Sequence, residues 1–449
     1  MKIVIAGAGE VGCHLAKMLQ HEKHDLTLID DVEERLEMIS EDADIVSVFG
    51  NPTTISALNE AKVDKADLFV AVYPAKNQDI NIVAALLAKQ LGAKKVTARI
   101  NNSEYLLHEN KLMFKELGID LLFYPEGIAA TEIAGLLKQT EITEFVDFAR
   151  GRLQLVVMRL DSGAPMIDVT EESFGFSGSE IPFKVLAVAR KGETFIPTVD
   201  TKFRLGDLVY IVCRKETVDM VLEYTGKTEF RIETLTILGG GRIGEMVAER
   251  FEKDVRSVKL IELNRDRCDY LSKKLNKTLI INGDGRNSDL FFEADVKNSD
   301  AFVAVTSSSE TNIMASVAVK KMGVPKVIAE VENLEYIRLA EGMGIDAIIN
   351  KKLITAGRIF RFTMSNKVRT IKTMSTSNAE VLEMIANPES MVTKAPIGDL
   401  SFPEDAKIGG IIRGSECFIA TADFTIKPYD RVAVFALPTA LKKIDKFFV

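Results

Sequence analysis

Residues 3–6 (Ile3, Val4, Ile5, Ala6) form a short, unbroken apolar run, the pattern of a buried parallel strand. Gly7-Ala8-Gly9-Glu10-Val11-Gly12 follows at once, and Val11, Leu15, Met18 and Leu19 then recur at helical spacing. The glycines therefore fall at a strand-to-helix corner. In that setting Gly7 allows the tight turn, Gly9 lets the backbone approach a pyrophosphate, and Gly12 lets helix and strand pack closely. The helix N-terminus offers free N–H groups to negative charge. The next apolar run ends in Asp30, 23 residues after Gly7. A nucleotide-binding second strand places its ribose-binding carboxylate at that point.

The alternation continues. Helical patterns over 31–39, 58–63, 81–92 and 104–117 are interleaved with apolar strand runs over 45–49, 67–72, 95–100 and 121–124. This rhythm predicts a doubly wound parallel sheet, a Rossmann-like α/β fold, with its ligand beyond the C-terminal strand ends. Gly7, Ala8, Gly9, Glu10, Val11, Gly12, Asp30, Gly50, Asn51, Tyr73, Pro74 and Arg99 then ring one crevice. A helix over 125–138 leads out. Short strand-like runs at 153–160, 185–190, 195–197 and 208–212 follow, with a small helix at 218–224. They predict a compact, mostly antiparallel α+β module of about 80 residues.

The pattern then begins again. Gly239-Gly240-Gly241-Arg242-Ile243-Gly244 repeats the first glycine corner at an offset of 232, and Glu262 and Arg267 repeat Asp30 and Arg35 at the same offset. Residues 300–305 repeat 67–72, Asn312 repeats Asn81, and 344–346 repeat 118–120. In the small module, Arg190, Glu193, Phe195, Ile196, Thr198, Asp200, Asp207 and Val209 match Arg413, Glu416, Phe418, Ile419, Thr421, Asp423, Asp430 and Val432, all at offset 223. The chain is thus a tandem duplication, large-small-large-small, with expected domains at 1–138, 139–227, 228–365 and 366–449.

Composition narrows the function. The 449 residues need more than one core, and the duplication accounts for them. A net charge of -8 argues against nucleic acid as a partner. No apolar run approaches the ~18 residues of a spanning helix. The chain enters its first strand directly, so no secretory leader is expected. Cys13, Cys213, Cys268 and Cys417 lie far apart, and His14, His21, His24 and His108 have no metal spacing. A reduced intracellular chain without a metal site follows.

Asp30, with Asp31 beside it, is read as the ribose acceptor, and an acid there disfavours the 2′-phosphate of NADP. Arg99 is read as a fork for phosphate or as a surface ion-pair partner. The second corner gathers Glu262, Asp284, Thr306 and Ser307. It carries Glu330 where the first has Arg99, and Arg242 inside its glycine loop. It is expected to differ in ligand or affinity, as a weaker or structural copy. Asn81 and Asn312 are expected to satisfy backbone groups near each site.

The two glycine corners with Asp30–Arg35 and Glu262–Arg267, the Val72-Tyr73 and Val305-Thr306 strand ends, Ala98-Arg99, Gly283-Asp284 and the repeated small module together resemble the TrkA family. Those proteins are the tandem RCK-domain (or KTN-domain) regulatory subunits of Trk-type potassium uptake systems. The resemblance covers essentially the whole chain and rests on the order of domains. It implies a protein that is no enzyme. Its large domains would bind NAD(H) or ATP/ADP, and its small RCK C-terminal modules would bind effectors or build subunit contacts. It would form a homo-oligomeric ring on the cytoplasmic face of the cell membrane, held there through a Trk-type potassium-channel subunit. Two alternatives are an NAD-dependent dehydrogenase, which would need a His–Asp pair or a Tyr-x-x-x-Lys, neither of which is expected here, and a soluble nucleotide sensor acting on a different transporter.

Overall fold

The computed structural model describes residues 1–20, 24–40, 45–74, 77–170, 183–228, 230–363, 368–374, 377 and 379–448. His21 lies outside the described residues, and of Glu10 only the backbone is described. The first half runs β1 (Lys2–Ala6), α1 (Glu10–Gln20), β2 (Asp25–Asp30), α2 (Glu33–Ser40), β3 (Ile45–Phe49), α3 (Ile55–Glu60), β4 (Leu68–Ala71), α4 (Gln78–Leu91), β5 (Lys95–Arg99), α5 (His108–Glu116) and β6 (Leu121–Phe123). All six strands are parallel, in the order β3-β2-β1-β4-β5-β6. Strand order reverses between β1 and β4, which opens a crevice beyond the C-terminal end of β1. The central strands are buried on both faces, as their unbroken apolar runs require: Ile3, Val4, Ile5, Leu28, Phe69 and Val70 are all buried. The helical pattern over 104–117 divides: Leu107 is extended (ψ 148°), and α5 starts only after it.

Next come α6 (Pro125–Lys138), β7 (Glu144–Phe148), β8 (Leu153–Arg159), β9 (Phe183–Arg190), β10 (Glu193–Phe195), β11 (Leu208–Arg214) and α7 (Val218–Tyr224). The second half repeats the plan: β12 (Thr234–Leu238), α8 (Arg242–Phe251), β13 (Ser257–Glu262), α9 (Arg265–Lys274), β14 (Thr278–Asn282), α10 (Ser288–Glu293), β15 (Ala301–Ala304), α11 (Ser309–Lys321), β16 (Lys326–Glu330), α12 (Leu334–Gly342), β17 (Ala347–Ile349) and α13 (Lys351–Thr363). β18 (Val368–Thr373), β19 (Glu380–Ile385), β20 (Ala406–Arg413), β21 (Glu416–Ile419), β22 (Arg431–Ala436) and α14 (Leu441–Phe448) complete it.

The duplication is visible in topology. The second parallel sheet is ordered β14-β13-β12-β15-β16-β17, and the antiparallel sheets β10-β9-β11-β8-β7 and β21-β20-β22-β19-β18 share one order. The first strand of each small module, β7 and β18, has no counterpart in the apolar pattern. In β7 the inward positions are Glu144, Val146 and Phe148, so a buried acid breaks the signal. Lys372 of β18 lies 3.6 Å from the Glu144 carboxylate and also pairs with Glu132 on α6.

The chain separates into two compact units, residues 1–128 with 351–365, and residues 129–350 with 366–449. In the first unit α13 packs against α1. Burial, reinforced by the charges of Lys352 and Lys17, pushes the pKa of His14 on α1 down to about 4, so its ring is neutral. In the second unit the body of α6 meets α8, where Arg250 donates to Thr131 Oγ1 at 3.0 Å. There the two antiparallel sheets share one core, including Leu155, Tyr210, Val381 and Phe435. The Tyr210 and Phe435 rings meet edge to face at 5.3 Å. Among the described residues, no helix is long and apolar enough to cross a membrane.

Candidate nucleotide sites

Each glycine corner is built from the closeness of its helix to its strand. Gly7 has φ +112° and Gly239 φ +105°, the left-handed region that a side chain disfavours. A Cβ on Gly12 would lie 1.8 Å from the Gly7 carbonyl oxygen, and one on Gly244 would lie 2.0 Å from that of Gly239. The middle glycines are different. A Cβ on Gly9 or Gly241 would meet no atom within 4 Å, so these two positions face open space. Gly241 caps α8 without a side-chain acceptor, leaving the first-turn amides of that helix for an anion. Open backbone at a helix N-terminus is what a phosphate group needs. Val11 is half-buried, and the Ile243 side chain is buried in the packing of α8.

The strand-end acids brace the loops. Asp30 is fully buried. Its Oδ2 accepts from Ala8 N at 2.6 Å, and its Oδ1 accepts from Val32 N at 3.0 Å and Arg35 Nη1 at 3.4 Å. Glu262 does the same with a longer arm, accepting from Gly240 N at 2.6 Å and Asn264 N at 2.8 Å. Arg267 does not copy Arg35. Its Nε donates to Gly240 O at 2.7 Å, its other nitrogen pairs with Glu245, and its guanidinium lies 4.7 Å over the Tyr270 ring. Against the expectation of no Tyr-x-x-x-Lys, Tyr270 and Lys274 do share that spacing, but Lys274 is tied to Glu245 and Glu249. Lys274 thereby ties α9 to α8, whereas the Tyr270 ring is exposed and meets Arg267 of its own helix.

Asn81 and Asn312 hold the neighbouring strand ends together. Asn81 Oδ1 accepts from Tyr73 N at 2.8 Å, and its Nδ2 donates to Tyr73 O and Arg99 O, each at 3.1 Å. Asn312 makes the matching bonds to Thr306 N (2.9 Å), Thr306 O (3.1 Å) and Glu330 O (2.9 Å). Pro74 and Ser307 are exposed beside these ends. The Arg99 guanidinium is engaged by Glu126 at 3.0 Å, both side chains being nearly buried. That partner lies in the first turn of α6, too far along the chain for spacing to reveal. Glu330, at the position of Arg99, is buried. Arg242 is exposed in the first turn of α8, beside Gly241.

Asn51 and Asp284 play one local role. Asn51 Oδ1 accepts from Thr53 N at 2.9 Å, and Asp284 Oδ1 accepts from Arg286 N at 2.9 Å, each closing an Asx-type turn. The Arg286 side chain also grips Asp284 and holds its carboxyl down to about 2. The first-corner residues all belong to the first unit and the second-corner residues to the second.

The TrkA-N domain family matches residues 3–125 and again residues 235–351, more than half the chain. The chain belongs to the TrkA family. A Trk system potassium uptake protein TrkA homolog of Archaeoglobus fulgidus is 35% identical over 452 residues, spanning the whole of both chains. Among solved structures, the GsuK RCK domain aligns at TM-score 0.61 and 17% identity, covering 100% of this chain and 94% of that one. A GsuK channel bound to NAD also aligns at 0.61, with 16% identity and coverage of 100% and 78%. At these identities the likeness is one of fold: two Rossmann-like sheets, each followed by an RCK-type antiparallel module. The chain is thus a tandem of two such pairs, each a Rossmann-like sheet followed by an antiparallel module.

Proposed function

We propose that this chain is the nucleotide-binding regulatory subunit of a potassium uptake system and gates a membrane potassium-channel partner. The observation that carries this is the duplicated corner: an open glycine (Gly9, Gly241) at a helix N-terminus, with a strand-end acid (Asp30, Glu262) fixed beside it. Whole-length similarity to a Trk potassium uptake protein supports the system, and the GsuK channel bound to NAD supports the ligand class.

In this reading the α1 and α8 amides hold a pyrophosphate, with Arg242 reaching it in the second corner. Asp30 and Glu262 accept from ribose hydroxyls, which favours NAD(H), ATP or ADP over NADP. Asn51, Asp284, Tyr73, Pro74, Thr306 and Ser307 border the crevices, and Arg99 orders the strand end with Glu126. The chain works without catalysis. Nucleotide shifts a homo-oligomeric ring between states by its difference in affinity for them, and a tenfold preference per site is worth about 1.4 kcal/mol. The ring sits on the cytoplasmic face of the membrane through its partner alone.

The test is a thermal-shift titration with NADH, NAD, NADPH, ATP and ADP, followed by potassium flux through co-purified membrane subunit in vesicles. Stabilisation by NADH or ATP, lost in the Gly9→Asp/Gly241→Asp double variant, and nucleotide-dependent flux are expected. No shift up to millimolar nucleotide, or flux indifferent to nucleotide, would refute the proposal.

A further inference from the structure

The two corners differ in what stands at the end of the strand beside them. After β4 comes Tyr73; at the same place after β15 comes Thr306. In the order β3-β2-β1-β4, a side chain reaching from the end of β4 to the end of β2 must cross the end of β1. Tyr73 does so. Its Cδ2 lies 3.0 Å from where a Gly7 Cβ would be. Its hydroxyl accepts from Asp31 N at 3.3 Å and donates to Asp31 Oδ1 at 3.4 Å. The residue is 2% exposed. Burial, then the charges of Asp30 and Asp31, raise the phenol pKa, so it stays a neutral donor. Thr306 instead turns its hydroxyl inward to Asn312 Oδ1 at 2.7 Å, and the three atoms nearest a Gly239 Cβ are all backbone.

We propose that Tyr73 is a built-in occupant of the first nucleotide crevice, so that the second corner is the tighter site and the first fills only when Tyr73 swings out. This rests on the nucleotide reading of the corners. The ring lies over the ends of β4, β1 and β2, where the sugar and base of a nucleotide held at Gly9 would rest. A site open only a fraction of the time binds with its affinity reduced by that fraction. The two hydroxyl bonds are long, so most of the latch is the buried ring, and removing the ring must matter more than removing the hydroxyl.

Single-corner proteins test this in the full chain. Gly9→Asp and Gly241→Asp each place a carboxylate where phosphate would sit, at positions with no atom within 4 Å of the new Cβ. NADH fluorescence titration should find the Gly9→Asp protein, with only its second corner, the tighter binder. Adding Tyr73→Thr to Gly241→Asp should tighten binding at least tenfold, Tyr73→Phe should tighten it less, and Tyr73→Thr added to Gly9→Asp should change nothing. Unchanged binding, or weaker binding because the ring stacks on the base, overturns the latch while leaving the nucleotide reading intact. No NADH binding by wild type or either single-corner protein removes that reading and the latch with it. Should Tyr73→Thr fail to fold, 3-fluorotyrosine in the Gly241→Asp protein, assigned with Tyr73→Phe, gives a second readout. Saturating NADH should move the Tyr73 fluorine signal from a buried to an exposed position, and a signal that stays buried at saturation overturns the proposal.

Discussion

Gly244 and Gly241 separate packing from ligand approach within one corner. Alanine at Gly244 puts a Cβ 2.0 Å from the Gly239 carbonyl oxygen, 3.2 Å from Gly239 C and 3.4 Å from Ile237 Cγ2. The first two obstacles are backbone, so α8 must move off β12 by more than 1 Å to restore ordinary contact. Overpacking of this kind costs about 3 kcal/mol, and the better helix propensity of alanine returns about 1 kcal/mol, leaving about 2 kcal/mol of destabilisation. Alanine at Gly241 meets no atom within 4 Å, and its φ of -64° suits any residue. Its stability cost is at most about 1 kcal/mol, from the poorer cap. Its methyl, however, stands where phosphate approaches. Urea denaturation and NADH titration are run together on both variants. Gly241→Ala should keep the wild-type midpoint within the smaller figure and bind NADH at least tenfold more weakly. Gly244→Ala should lower the midpoint clearly. The argument fails if Gly244→Ala is as stable as wild type, or if Gly241→Ala is stable and binds NADH normally.

Three further outcomes follow from buried polar groups. Lys326 is 2% exposed, its Nζ donates to Ile142 O at 2.8 Å, and burial pushes its pKa from 10.5 down to about 8 despite Asp346 and Glu141 nearby. The unfolded chain therefore holds the proton over pH 8–10.5 while the folded chain has lost it, so this group makes stability rise with pH across that window, by about 3 kcal/mol in total. Denaturation across that range should show the rise in wild type and its loss in Lys326→Met; parallel profiles would refute it. Asn312→Ala leaves Thr306 N and the carbonyls of Thr306 and Glu330 without their bridge, and should destabilise by about 3 kcal/mol in urea denaturation. Asp207→Ala breaks a two-pronged pair with Arg190 (2.8 and 2.7 Å) and an acceptor for Arg204 N, and should destabilise by about 2 kcal/mol, as should Asp430→Ala in the matching Arg413 pair; a thermal midpoint equal to wild type would count against both.

Much of the corner geometry was legible because its rules are local. The strand run 3–6 and the glycines at 7, 9 and 12 sit close along the chain, and each has a fixed geometric consequence: turn, open backbone, helix contact. The acid at 30 reads as a ribose acceptor, and only the fold shows its carboxylate bracing the Ala8 amide. Asn81 and Asn312 were legible in half of their role: Tyr73 and Thr306 lie 8 and 6 residues from them, while the other strand ends they hold, at Arg99 and Glu330, are 18 residues away. Tyr73, Arg99 and Glu126 were not legible in their roles. Tyr73 reads as a residue bordering a crevice, and only the strand order carries its ring across Gly7 to Asp31. Arg99 reads as a phosphate fork or a surface ion-pair partner until the fold delivers Glu126 to it, in a pair that is nearly buried.

The sequence by itself determined the alternation of strands and helices, the two glycine corners and the duplication, because periodicity records which face of each element must leave water. The tertiary structure decided which distant surface covers each face. It gave α13 to the unit of α1, hid Glu144 beneath Lys372, merged the two small modules into one core, and left one glycine corner crossed by a tyrosine and the other beside a threonine turned inward. An apolar or charged position states its need for a partner, but not which one among hundreds of residues the fold will bring to it.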